Sequence, residues 1–98
     1  MEYQVRRYRI VDGRMDEFVE FFEAQLVPLR ERFGFRRESS WRLDETHEFM
    51  WIVSHDGDDG FEAADAAYYS SPDRDAVTPN PLDFIAEVNT SMATRLAP

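Results

Sequence analysis

The stretch from His47 to His55 constrains this chain more than any other. Read as a strand, it places His47, Phe49, Trp51, Val53 and His55 on one face and Met50, Ile52 and Ser54 on the other. Both faces are largely apolar. A strand of that kind has to be covered on both sides, so it belongs inside a sheet with a layer on each face. With 98 residues the chain supplies one domain, 1–98, and a single core. One layer can come from its own helices, whereas the second calls for another chain.

The remaining elements follow from local pattern. Tyr3 to Val11 reads as a strand, with Tyr3, Val5, Tyr8, Ile10 and Val11 set among arginines, and Asp12-Gly13 as the turn after it. Arg14 to Phe33 reads as a helix. Met15, Phe18, Val19, Phe22, Leu26, Leu29 and Phe33 share one stripe, while Asp16, Glu20, Glu23 and Glu31 face away. Pro28 removes the bond to the Ala24 carbonyl and should kink this helix, and Gly34 should end it in a left-handed cap. Phe35 to Leu43 forms a second strand, Asp44-Glu45-Thr46 a turn, and Phe61 to Tyr69 an alanine-rich helix. Ser71-Pro72-Asp73 has the residues of a fresh helix start: a hydroxyl cap, a proline in the first position and an acid in the first turn. Phe84 to about Leu96 completes the set as a strand. The order strand–helix–strand–strand–helix–strand is that of a ferredoxin-like α+β fold with a four-stranded antiparallel sheet.

Composition removes many functions. Acids number 20 against 11 bases, a net charge of −9, which argues against nucleic acid or an anionic membrane as partner. There is no cysteine, hence no disulfide, thiolate metal site or cysteine nucleophile. Every base is arginine, so Schiff-base lysine chemistry and a P-loop are also excluded. No apolar run follows the early arginines and none is long enough to span a bilayer, so the expected location is the cytoplasm.

Few residues offer chemistry. His47 and His55 would lie roughly 26 Å apart along an extended strand, too far to share a metal. His55 ends the strand beside Asp56 and before a glycine-flanked loop, a position suited to a general base or to a cap on loop backbone. Tyr8, Trp41, Trp51, Tyr68 and Tyr69 either fill the core between sheet and helices or line a pocket for a flat ligand, their polar tips needing partners when buried. Arg6, Arg7, Arg9, Arg36 and Arg37 should pair with Glu38, Glu48 or Glu87 across the sheet, and one that faces inward would suit a carboxylate. Asp56, Asp58 and Asp59 lack the glutamate of an EF-hand loop, and Asp58 and Asp59 fit helix capping instead. No metal or cofactor site is therefore expected.

Three stretches resemble the NIPSNAP family: Tyr3 to Ile10 with Gly13 to Phe18, Glu48 to Gly57, and Ala63 to Pro72, which ends in Tyr-Ser-Ser-Pro. The resemblance implies a ferredoxin-like monomer that pairs sheet to sheet with a second copy, a dimeric α/β barrel. It carries over no catalytic residue. The expectation is a homodimer whose pocket between sheet and helices binds or converts a small, partly aromatic metabolite without metal or cofactor. Tyr8, Trp41, Trp51 and Tyr68 would line it, with His55 as acid–base candidate. The alternative is a non-enzymatic dimeric adaptor in which the same aromatics simply fill the core.

Overall fold

A computed structural model of the chain describes residues 1–97. Four strands, β1 (Glu2–Ile10), β2 (Arg36–Leu43), β3 (Glu48–His55) and β4 (Ile85–Ala93), form one antiparallel sheet in the order β2-β3-β1-β4. This is the expected ferredoxin-like topology, with β3 and β1 central. Helical segments α1 (Met15–Phe21), α2 (Val27–Arg32), α3 (Gly60–Tyr69) and α4 (Pro72–Asp75) join the strands. No helix among the described residues is long and apolar enough to cross a membrane.

The core forms where the helical stripe meets the sheet. Phe18 and Phe22 have no exposed surface and pack on Phe49 and Trp51, with ring centroids 4.6–5.1 Å apart. Inward residues of β3 are Phe49, Trp51 and Val53, all buried, and those of β1 are Arg6, Tyr8 and Ile10. Full burial of one such aromatic side chain is worth about 1.5–3 kcal/mol.

Four local expectations need correction. The long helix is not a kinked α-helix: Phe22–Leu26 forms a π-turn, in which the Val27 N–H reaches the Phe22 carbonyl. Pro28 just downstream has no N–H for the ladder, and the chain adopts wider i→i+5 pairing before it. The π-turn also shifts the helical face, so Phe21 and Val27 are buried with the expected stripe. His47 lies outside β3, in a left-handed conformation at φ 55° after a 3₁₀ turn, Asp44–Thr46. The last strand is shorter than the pattern suggested, ending at Ala93. Finally, α3 has no capping bond from Asp58 or Asp59; the Phe61 N–H donates to Glu2 Oε1, 2.8 Å away at the start of β1.

The turn chemistry otherwise follows the sequence. Gly34 takes φ +87° after α2, and the Ser71 hydroxyl accepts from the Arg74 N–H at 3.1 Å to start α4 behind Pro72. Arg7 and Arg9 pair with Glu48 and Glu87 on the side of the sheet away from the helices. Arg37 instead turns inward to Glu23.

Candidate functional site

A cavity of about 250 Å³ opens between the sheet and the helical layer. Alternation along β1 sends Arg6 and Tyr8 into it, and the antiparallel register sets Trp51 of β3 directly opposite Arg6. These three make its floor, being 6%, 5% and 2% exposed. Tyr68 and Tyr69 close it from the end of α3, Arg30 from α2 and Arg74 from α4. Leu82 and Val88, both well exposed, form an apolar rim.

Guanidinium and phenol groups are tied into one network. Arg6 donates through Nε to the Tyr8 hydroxyl (2.8 Å), through NH1 to Gln4 Oε1 (2.8 Å) and through NH2 to the Tyr69 hydroxyl (2.7 Å). Trp51 Nε1–H also donates to the Tyr8 oxygen, at 2.9 Å. Arg30 donates to Asp65 Oδ1 at 2.6 Å and to the Tyr69 hydroxyl at 3.2 Å, and its guanidinium carbon sits 4.0 Å from the Tyr68 ring centroid. That stack is a cation–π contact. Arg74 faces the Tyr68 and Tyr69 rings at 5.9 and 5.6 Å, and its buried Nε–H has no hydrogen-bond partner among the described residues.

Burial works against the Arg6 charge, but Tyr8, Tyr69 and more weakly Asp65 outweigh it, so its pKa stands above the ordinary arginine value. Burial likewise raises the Tyr68 phenol, against the opposing pull of Arg30 and Arg74. Arg6 is therefore a fixed cation and Tyr68 a neutral phenol at neutral pH.

Of the five residues expected to line the pocket or act in it, Tyr8, Trp51 and Tyr68 meet in this cavity and two others do not. Trp41 is 55% exposed on the opposite face of the sheet, paired with Met50. A bulge between Arg37 and Ser39 reverses the alternation that would have sent Trp41 inward in step with buried Phe35. His55 faces the helical layer but not the cavity. Its Nε2 lies 3.2 Å from the Phe33 carbonyl, its Nδ1 accepts from the Gly57 N–H at 3.0 Å, and its ring meets Phe35 edge-on. Both nitrogens are thus occupied by backbone, the loop-capping alternative weighed for this residue. No group of three potential metal ligands occurs among the described residues.

Tyr69, one of the aromatics named from sequence, also lines the cavity, and Arg30 and Arg74 are the lining residues that sequence reasoning missed. Arg30 carried a signal, since it stands four residues after Leu26, on the apolar stripe where a charge is out of place. Arg74 carried none, because only the turn of chain after Tyr69 brings it back over the tyrosines.

No family model matches the sequence, and no curated protein matches it. Solved structures do match. One is an uncharacterized NIPSNAP domain protein from Burkholderia xenovorans, with 18% identity over 99% of this chain and 96% of that one, at a TM-score of 0.84. A second is a NIPSNAP family protein of unknown function from Agrobacterium tumefaciens, 17% identical over 100% of this chain and 92% of the other, also at 0.84. An antibiotic biosynthesis monooxygenase matches at 0.71 with 10% identity, over 99% of this chain and all of its own. Identities this low speak to architecture, and on that ground the resemblance seen in the residues holds: this chain has the fold of the NIPSNAP domains.

Proposed function

We propose that this chain is a NIPSNAP-type domain that works as a homodimer and binds a small, partly aromatic molecule in the cavity between its sheet and its helices. The observation that carries the reading is the cavity itself. Tyr8, Trp51 and Tyr68 are buried, yet about 250 Å³ of open space remains over them, bounded by Arg6, Arg30, Arg74 and Tyr69. This favours a ligand over the filled-core adaptor. Its wall offers aromatic faces and hydrogen-bond donors but, among the described residues, no histidine or carboxylate. Such a wall supports binding as the primary role; the monooxygenase that shares the fold supports conversion only by analogy. The cytoplasm remains the location the sequence suggests.

Support for the dimer comes from the other face of the sheet. Val5, Met50 and Ile52 lie there half-buried with no helix over them, and Trp41 stands exposed beside Met50. An apolar patch of this kind is covered most simply by the same patch of a second copy.

One variant tests the pocket. Trp41→Phe leaves Trp51 as the sole indole, so its emission reports on the cavity floor. Titration with indole, phenol and benzoate should give a saturable change with at least one of them. Flat titrations to millimolar concentrations would refute ligand binding. Light scattering tests the dimer: a mass near the 11.5 kDa of one chain would refute it, and Ile52→Asp should shift a dimer toward that mass.

A further inference from the structure

The cavity is basic in an acidic protein. Three of the 11 arginines converge on it, and among the described residues no acidic side chain lines it, although the whole chain carries 20 acids. Asp65 stands behind Arg30 and is bonded to it. Arg6, 94% buried by its 6% exposure, has among the described residues only the neutral Gln4, Tyr8 and Tyr69 as hydrogen-bond partners. A buried cation without a counter-charge at contact is costly, and proteins ordinarily pair it.

Hydrogen bonding is equally one-sided. The Tyr8 oxygen accepts from Arg6 and Trp51, and the Tyr69 oxygen from Arg6 and Arg30. None of these donors can accept in return, so both phenol protons remain to be given elsewhere. The Arg74 Nε–H is a further unused donor. Donors therefore exceed acceptors, which is the complement of a carboxylate with its two oxygens and four lone-pair positions.

We propose, resting on the ligand-binding reading above, that the cavity selects a carboxylate attached to a single aromatic ring, with Arg6 and Arg74 as the charge-recognising residues. The volume sets the size. At about 250 Å³ it falls below the range of roughly 300–1,000 Å³ usual for drug-sized ligands, which fits one ring and not a fused system. Arg6 on the floor and the apolar pair Leu82 and Val88 at the rim set the polarity. The anion goes in first, the ring lies against Tyr69, the exposed aromatic of the lining, and the trailing edge meets the rim.

Benzoate and its neutral isostere benzamide test this, titrated at one ionic strength into Trp41→Phe, alone and combined with Arg74→Gln or Arg6→Gln. The expected result is a preference for benzoate of at least 10-fold that Arg74→Gln removes while benzamide affinity stays within about 2-fold, a gap of about 1.4 kcal/mol. The buried Arg74 Nε–H has no hydrogen-bond partner among the described residues, so Arg74→Gln should fold and melt like the parent even if Arg6→Gln does not. Equal binding of the two ligands would overturn the carboxylate assignment and leave the aromatic pocket standing. Binding of neither would overturn both. A preference that survives Arg74→Gln would overturn the role given to Arg74.

Discussion

Replacing Trp51 by alanine tests the core and the cavity floor together. The indole is 2% exposed, meets Phe22 edge-on at 4.9 Å and 85°, and donates to the Tyr8 hydroxyl at 2.9 Å. Truncating a buried aromatic to alanine costs about 3–5 kcal/mol, from lost transfer energy plus the void left behind. Here the void would merge with a cavity that already opens to solvent, so water can fill part of it, and the low end near 3 kcal/mol applies. The Tyr8 oxygen keeps its bond from Arg6 and adds little to the cost. For a domain of this length, 1 kcal/mol moves the melting temperature by about 4–8 °C, so Trp51→Ala should melt at least ~12 °C below the parent. Trp51→Phe retains a ring against Phe22 and loses the N–H and some volume, for about 1–2 kcal/mol. Thermal denaturation followed by circular dichroism reads both. An alanine variant melting within about 5 °C of the parent would refute the claim that this indole anchors the core.

Three further outcomes follow from particular contacts. A Cβ on Gly57 would lie 2.4 Å from His55 Cε1, so Gly57→Ala should cost about 1–3 kcal/mol and less than that in a His55→Ala background; additive costs in chemical denaturation would show that the ring is not the obstacle. His55→Gln should lower stability by about 1–2 kcal/mol through the Phe33 and Gly57 contacts yet change ligand affinity less than 2-fold, and a 10²-fold loss would return His55 to the site. Tyr68, its pKa held above the ordinary 10.0 by burial, keeps its proton in the folded state after the unfolded chain has released it. Its contribution is complete below pH 10 and is lost as pH rises toward the folded value, so the alkaline fall in stability should be shallower in Tyr68→Phe, measured by urea melts between pH 9 and 11.

Which parts of this molecule were legible depended on whether local pattern or distant contact decided them. The stripe through Phe18 and Phe22, the Ser71-Pro72 start and the Gly34 stop rest on neighbours within a turn or two, and the structure follows them. Tyr8 and Trp51 face the helical layer as strand alternation suggests, because β1 and β3 pair without interruption from Glu2 to Arg9. Trp41 was misplaced because a single bulge inverts every side chain beyond it, and nothing in Arg37-Glu38-Ser39 announces one. The π-turn at Phe22 followed from Pro28, but sequence could not say whether the helix would kink or widen. Glu2 caps α3 from 59 residues away, a partnership that no local rule contains.

The same distinction explains how the cavity arises. Only Phe61 and Tyr68 of α3 are buried, and β4 packs mainly on β1 and the 3₁₀ turn Pro81–Asp83. The space left beside β1 is filled from its edges by long side chains: Arg6 from below, Arg30 and Arg74 from the helices, Tyr68 and Tyr69 between them. A chain selected for stability alone would close such a space with leucine or phenylalanine, since an apolar core of equal volume avoids the desolvation of three guanidinium groups. Three cations retained around open volume in a protein of net charge −9 are therefore better accounted for by a ligand than by folding. Arg6 makes the argument specific. Its neighbour Arg7 points to the other face and meets Glu48 at 3.1 Å, so the strand can give an arginine a carboxylate where one is needed. On the inward face, among the described residues, it gives Arg6 phenols and an amide, which hold the guanidinium in position, and the proposed carboxylate would neutralise its charge.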